Sequence, residues 1–429
     1  MKNYIKNVDF RLIYIILFLA IYSIIFNYTG YKYSFIIVGI ISLLLFFCKF
    51  ETALLMYFCF LPYASLLKIS ENSITVLSIF YLIIIFKFIL QNRLRLNKNK
   101  FLVLLGLLFF QIICVLFYSM PITNLISFFG PVLFLLIVQD NLMNHDLIDL
   151  SLLLKGFIMS LLLSIIIVLI YNQIPFQILS QKAEALQNAN RFSGINGDPN
   201  YFNQLVLIAI SFLLILFIKE KIILKRIIYI ICIGVCIYFG SLSVSKSYAI
   251  GILLYIFLAY LYLFKYLKSV CHKETLILIF IILTIIGIGI GLYLFKNISV
   301  SIFSNRQKTG YNLLTGRDVI WENNIEILLK NPQIILFGAG HNNEFIGGCP
   351  HNTYLELLKG YGIVGLIFIC YLYKRTFSNI FKLAKNIVFL PVIMFLITAF
   401  SLSISATDIH YLLILYLIIY CRNPILNIT

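Results

Sequence analysis

Apolar runs follow one another through this chain with only short polar breaks, and roughly fourteen of them approach the length of a membrane span. They lie near residues 12 to 27, 33 to 48, 51 to 68, 74 to 91, 101 to 119, 122 to 139, 152 to 171, 200 to 218, 223 to 240, 248 to 267, 274 to 295, 351 to 373, 386 to 405 and 409 to 421. A helix needs about 17 to 25 mostly apolar residues to cross the hydrocarbon core, where every backbone N–H and C=O must be satisfied inside the protein. With 62% hydrophobic and 11% charged residues and a mean hydropathy of +1.02, one compact soluble core is excluded. The expectation is an all-α polytopic membrane protein, one integral domain over residues 1–429 with about fourteen transmembrane helices.

A formal charge of +17 in a soluble chain would point to nucleic acid. Its distribution points to membrane topology instead, and no nucleic-acid partner is expected. With the amino terminus in the cytoplasm, 22 of the 33 Lys and Arg fall inside, and the 11 others lie mostly in two long outer loops, where the charge rule carries less weight. An even number of spans with both termini cytoplasmic fits this bias. The first apolar run follows Lys2, Lys6 and Arg11 but has no small-residue cleavage site after it, so an uncleaved first helix is expected. Of nine cysteines, Cys349 alone is placed on the outer face and has no disulfide partner there. Cys232 and Cys236 share a helix face as packing residues. No glycine loop suited to a nucleotide phosphate is found in the cytoplasmic segments.

The polar chemistry falls in two outer insertions, residues 172–199 and 296–350, and at the mouths of neighbouring spans. The first insertion ends Arg191-Phe192-Ser193-Gly194-Ile195-Asn196-Gly197-Asp198-Pro199-Asn200. Gly194 and Gly197 permit tight turns, Asp198 is a good N-cap and Pro199 suits a first helical turn. Arg191 is thereby held before a capped helix, the alternative being a snorkelling headgroup anchor. In the second insertion Thr315 and Asp318 resemble a capping box. Trp321, Ile325 and Leu328 recur at helical spacing, and Pro332 stops the helix. An amphipathic helix on the membrane face, anchored by the chain's single tryptophan, is expected. Arg317 in its first turn opposes the helix dipole unless both serve one anion.

Gly338-Ala339-Gly340 and Gly347-Gly348 make a flexible, turn-rich passage up to His351 at the mouth of the next span. Glu356, Lys359, Gly360, Gly362 and Gly365 on that span are poor lipid-facing choices and imply a side turned to a cavity or a neighbouring helix. A lone histidine is usually structural. In this company an imidazole can take a proton from a hydroxyl at neutral pH. Lys246, in the turn Ser241 to Ser247, is a further candidate cation or else a headgroup anchor.

These residues carry a resemblance. The chain resembles the O-antigen polymerase and O-antigen ligase superfamily, membrane glycosyltransferases that use polyprenyl-diphosphate-linked glycans outside the cytoplasmic membrane. The match rests on the arginine-led loop ending Gly197-Asp198-Pro199-Asn200 and on Thr315-Gly316-Arg317 with Trp321 and Asn331-Pro332. It rests also on His351-Asn352, nine residues, Gly362, two residues and Gly365, and covers roughly residues 190 to 375. The resemblance implies a GT-C-like bundle, with a long outer loop containing the amphipathic helix, and inverting glycosyl transfer without metal or cofactor. By it, Arg191, Arg317 and Lys246 hold the donor diphosphate, His351 is the base on the acceptor hydroxyl, and Asn200, Asn352 and Tyr354 support them. The implied partners are the lipid-linked donor and acceptor, membrane lipid, a chain-length regulator and a flippase. The implied location is the bacterial inner membrane with the active site on its outer face.

Two departures stand against the pattern. Relatives often carry arginine where this chain has Ser245-Lys246-Ser247, and lysine lacks the planar two-point contact. The spaced Arg and Gly pattern of some polymerases is not met, since Phe202 and Leu328 stand eleven residues after Arg191 and Arg317. The Asp-Pro-Asn opening and the span count favour the polymerase, making O-antigen or capsule. The alternatives are a ligase acting on lipid A core, a flippase or other transporter of lipid-linked oligosaccharide, and a structural scaffold in glycan export.

Overall fold

A computed structural model describes residues 9–68, 75–90, 97–141, 148–173, 192–243, 245–270, 289, 317–344, 346–374, 376, 378, 387–400, 402 and 408–422. Over these residues the chain is almost entirely helical and has no strand; one isolated bridge pairs Lys68 with Thr75. The helices are α1 Phe10–Thr29, α2 Ser34–Phe47, α3 Phe50–Phe60, α4 Val76–Leu90, α5 Lys98–Phe117, α6 Ile122–Asn141, α7 Leu150–Gln173 and α8 Pro199–Lys219. They continue as α9 Ile223–Ser241, α10 Lys246–Val270, α11 Arg317–Lys330, α12 Pro332–Phe337, α13 Thr353–Leu372, α14 Leu390–Thr398 and α15 Asp408–Arg422.

Among the described residues seven stretches are long and apolar enough to cross a membrane: Phe10–Phe47, where the turn Gly30–Tyr33 joins α1 to α2, and six more within α5 to α9 and α13. Five shorter apolar helices accompany them. Thirteen of the expected runs coincide with these helices; the run at 274 to 295 apart from Gly289, most of the first insertion, and residues 296–316 and 345 of the second lie outside the described residues. The chain is an all-α protein built on membrane-length helices.

The bundle is organised around α8, whose residues from Phe202 to Leu216 are all buried. In an apolar solvent a hydrophobic surface alone does not draw a helix inward, but polar side chains do, because lipid offers them no partner. Gln204 on α8 donates to Thr398 Oγ1 at 2.9 Å and Asn203 Oδ1 accepts from Ser243 at 2.8 Å. Helices α7, α9, α10 and α14 pack around it. The outer flank of α9, by contrast, exposes Ile223, Leu224, Ile227, Ile230 and Ile231.

The helices alternate in direction, and the connections therefore sort to two ends. At one end Tyr22 donates to Leu66 O, Ser65 to Ile195 O and the Phe192 amide to Leu242 O. At the other, Arg11 pairs with Asp9 and Glu51, Lys100 with Asp140, and Arg226 donates to Glu220 O. Insertion residues 192–198 and 317–352 belong to the first end, called here the loop end.

The passage from Gly338 to Gly348 is pinned rather than flexible. Ala339 N donates to Lys359 O at 2.7 Å and Gly340 N to Gly360 O at 3.1 Å, so α12 and the residues after it lie backbone to backbone on α13. The approach is possible because Gly362 takes φ 59° and ψ −179° and kinks α13. A Cβ there would sit 2.5 Å from Gly338 N and from the Leu336 carbonyl. Pro332 does end α11, and it also opens α12 at its first turn. The face of α11 differs from the spacing-based expectation. Asn324 and Leu328 turn inward, Ile325 is exposed, and the Trp321 Nε1–H is buried with no hydrogen-bond partner among the described residues.

Candidate functional site at the loop end of α8

The start of α8 is fixed by local rules. Gly194 and Gly197 take φ 59° and 72°, and Phe202 packs so closely beneath Gly194 that a Cβ would meet its ring at 2.6 Å. Asp198 caps the helix, accepting from Asn200 N at 2.7 Å, with Pro199 in the first turn. Arg191 lies outside the described residues. The residue after it, Phe192, is anchored by its amide on Leu242 O and by its ring against Phe202 and Phe239.

Lys246 is the first residue of α10, half-buried beside α8. Its neighbours set that position: Ser245 donates to Asn200 Oδ1 at 2.8 Å and shares a 2.8 Å hydrogen bond with Ser247, while Ser243 bonds Asn203. Lys246 and Asn200 are thus brought together by a row of serines that docks the turn onto α8.

Arg317 is the first residue of α11 and is also half-buried. Its guanidinium forms no hydrogen bond or ion pair among the described residues. Burial pulls its pKa below the ordinary arginine value, and the negative charge of Asp198 opposes that shift. The α8 cap and the α11 arginine are therefore electrostatic neighbours, although 119 positions separate them in the chain. Thr315 of the expected capping box lies outside the described residues, and Asp318 Oδ1 is buried without a hydrogen bond among the described residues.

His351 is exposed and adopts φ 47°, and its polar contact is Cys349 Sγ, 3.9 Å from Nδ1. Asn352 is buried and caps α13 by accepting from the amides of Tyr354 and Leu355 at 3.0 and 3.2 Å. Thr353 ties this turn to the end of α14 through its amide on Ala399 O and its hydroxyl on Leu402 O. Ala399 and Leu402 pack on Tyr201 of α8. Tyr354 donates to Leu396 O at 2.8 Å and packs on Phe400. Asn352 and Tyr354 thus hold the turn in place, and His351 projects from it.

Asn200 and the Lys246 turn meet through Ser245, Arg317 feels the charge of Asp198, and the His351 turn is linked to Tyr201 of α8 through Ala399 and Leu402. Glu356 and Lys359 are buried, as their place on α13 implied. Lys359 is fully engaged: it donates to Ile346 O at 2.8 Å, Gly348 O at 2.6 Å and Asn324 Oδ1 at 3.3 Å. Three residues absent from the sequence-based set join the region. Tyr201 stands one helical step past Asn200, and Asp408 opens α15 with Tyr81 at 2.8 Å from its carboxylate. His341 is buried against Phe128 and Tyr361, with Tyr361 Oη 2.6 Å from Nδ1. A lone acid opening an apolar run was the available signal for Asp408, and a histidine flanked by glycine and asparagine the signal for His341. No family model and no curated protein matches the chain.

Proposed function

We propose that the chain is a polymerase joining polyprenyl-diphosphate-linked oligosaccharide repeat units into a surface polysaccharide, with its loop end on the outer face of the cytoplasmic membrane. Arg317 carries this reading. A half-buried guanidinium without a partner among the described residues, in the first turn of a helix whose dipole opposes it, is costly unless an anion occupies the place. A diphosphate matches its planar fork. Lys246 and Arg191 supply further positive charge, and Asn200 fixes the Lys246 turn.

The reaction follows from these roles. The acceptor hydroxyl attacks the anomeric carbon of the donor from the face opposite the diphosphate; a new C–O bond forms as the bond to the diphosphate oxygen breaks, inverting that carbon. The hydroxyl proton passes to His351, and the lipid diphosphate departs with its charge held by the cations. The exposed imidazole of His351, held by the Asn352 cap and the Thr353 contacts, is available to a substrate arriving from that side. About fourteen spans, a GT-C-like bundle and cytoplasmic termini complete the reading. The basic residues Arg11, Lys100 and Arg226, away from the loop end, are what supports the cytoplasmic termini.

The test is incubation of the purified full-length protein with synthetic lipid-diphosphate repeat units, without nucleotide and with a chelator present. Longer glycans are expected. Arg317→Ala should lower the rate by roughly 10²–10³ and His351→Ala by roughly 10²–10⁴. Failure to extend a substrate that a known polymerase extends would refute the reading, and transfer onto lipid A core alone would make the chain a ligase.

A further inference from the structure

Asp198, whose charge reaches Arg317, also lines a cavity of roughly 230 Å³ at the loop end. Lys68, Asp198, Tyr201 and Asp408 line it together with apolar Leu205 and Ile409. The Asp408 carboxylate is held in place. Oδ1 accepts from Tyr81 Oη at 2.8 Å and Oδ2 from Thr75 Oγ1 at 3.4 Å, while Tyr57 bonds Tyr81 at 2.7 Å and the Asp408 carbonyl at 3.2 Å. An ionised carboxylate has about four lone-pair sites, so two bonds leave capacity on the cavity side. The Tyr201 hydroxyl makes no hydrogen bond among the described residues, and Asp408, Glu356 and Asp198 lie within electrostatic reach of it.

The chemistry of this wall selects its ligand. Among the described lining residues two carboxylates stand against one lysine, a balance that disfavours phosphate, so the donor diphosphate belongs on the Arg317 side. The described residues assemble no group of three metal-ligating side chains, so the cavity falls short of a metal site. Carboxylates and a free phenol beside apolar and aromatic carbon suit a neutral polyol, whose hydroxyls donate to Asp408 and whose C–H face lies on Tyr201. The volume is below that of sites for drug-sized ligands and matches one ring rather than a whole repeat unit.

We propose that this cavity binds a single neutral sugar ring, the hydroxyl-bearing terminal residue of the acceptor glycan. Its assignment to the acceptor rests on the polymerase reading; its affinity for a sugar does not.

The experiment uses the full-length protein in a detergent without sugar headgroups and a panel of methyl hexosides, methyl 6-deoxyhexosides and methyl N-acetylhexosaminides. Saturation-transfer NMR should show ring-proton contact for at least one glycoside. Asp408→Asn should weaken that binding at least tenfold, Ala64→Phe, which fills the cavity, should abolish it, and Lys330→Gln on the exposed face of α11 should leave it unchanged. The wild-type unfolding midpoint, followed by Trp321 fluorescence, identifies variants that remain folded; Tyr201→Phe, which removes only the hydroxyl, replaces any that do not. Silence from every glycoside overturns the proposal, as does binding that survives both Asp408→Asn and Ala64→Phe. Sugar binding without glycan extension would keep the cavity and remove the polymerase. Extension with an unchanged acceptor KM in Ala64→Phe would do the reverse.

Discussion

Replacing Gly362 by alanine tests the seam that positions His351. Gly362 has φ 59° and ψ −179°, a conformation open essentially to glycine alone, and an alanine held there carries about 1–3 kcal/mol of strain. Its Cβ would also lie 2.5 Å from Gly338 N and from the Leu336 carbonyl carbon and oxygen, which are backbone atoms and cannot rotate away. Relief requires α12 to leave α13, and with it the hydrogen bonds Ala339 N to Lys359 O and Gly340 N to Gly360 O, each worth about 1 kcal/mol. The sum is about 3–5 kcal/mol, a large part of the roughly 5–15 kcal/mol that holds a typical domain folded. Gly348→Ala is the control. Gly348 has φ 67° but nothing within 4 Å of its Cβ position, so it carries strain alone, about 1–2 kcal/mol. Thermal unfolding of the purified protein, read by helical circular dichroism and Trp321 fluorescence, should show a clearly larger loss for Gly362→Ala than for Gly348→Ala, by at least about 1 kcal/mol. Equal losses would mean that the seam yields freely and that the Gly362 spacing has no packing origin.

Lys359→Met should destabilise the 338–348 passage by about 2–4 kcal/mol, because it strands Ile346 O, Gly348 O and Asn324 Oδ1; limited proteolysis should then cut between residues 343 and 349 faster than in wild type. Asn352→Ala should cost about 0.5–2 kcal/mol of the α13 cap, whereas Asn352→Asp, which still accepts from both amides, should keep stability and activity; the paired unfolding midpoints check this. Burial pulls the pKa of His341 down to about 3, below the roughly 6.5 of an unfolded histidine, so between those values the unfolded state binds a proton that the folded state does not. Stability should therefore be unaffected by this group above about pH 7 and fall as pH drops, by about 2 kcal/mol at pH 5; unfolding midpoints from pH 7.5 to 5 should slope less in His341→Gln, and an identical slope would remove His341 as the cause.

What the sequence made legible follows the range of the interactions involved. The entry to α8 rests on Gly194, Gly197, Asp198 and Pro199, whose preferences act within a few residues, and the structure has each in the expected role. The end of α11 was likewise readable from Pro332. Its orientation was not, because Asn324 turns inward to meet Gly347 O and Lys359, contacts 23 and 35 positions away that no helical period encodes. Gly362 stood out as a poor lipid-facing residue, but its cause, the backbone of Leu336 and Gly338, depends on a fold-back of the chain. Asp408 was missed for the same reason: its partners Thr75 and Tyr81 are more than 300 positions distant.

The charges at the loop end separate into two kinds, and the separation bears on chemistry more than on stability. Helix starts favour anions, and α8 obeys with Asp198, whereas α10 and α11 begin with Lys246 and Arg317. Stability alone would favour acids or neutral caps at all three. Asp198 does not resolve the conflict at Arg317, since it makes no ion pair with it within bonding distance and its carboxylate is already engaged by the Asn200 amide. On the proposed reading, the cationic starts of α10 and α11 near the capped start of α8 form a place where an incoming anion gains from both cations. Asp408 and Asp198 guard the adjoining cavity from that anion. On the proposed reading, a site that holds a diphosphate and a hydroxyl side by side without exchanging them uses this division of charge.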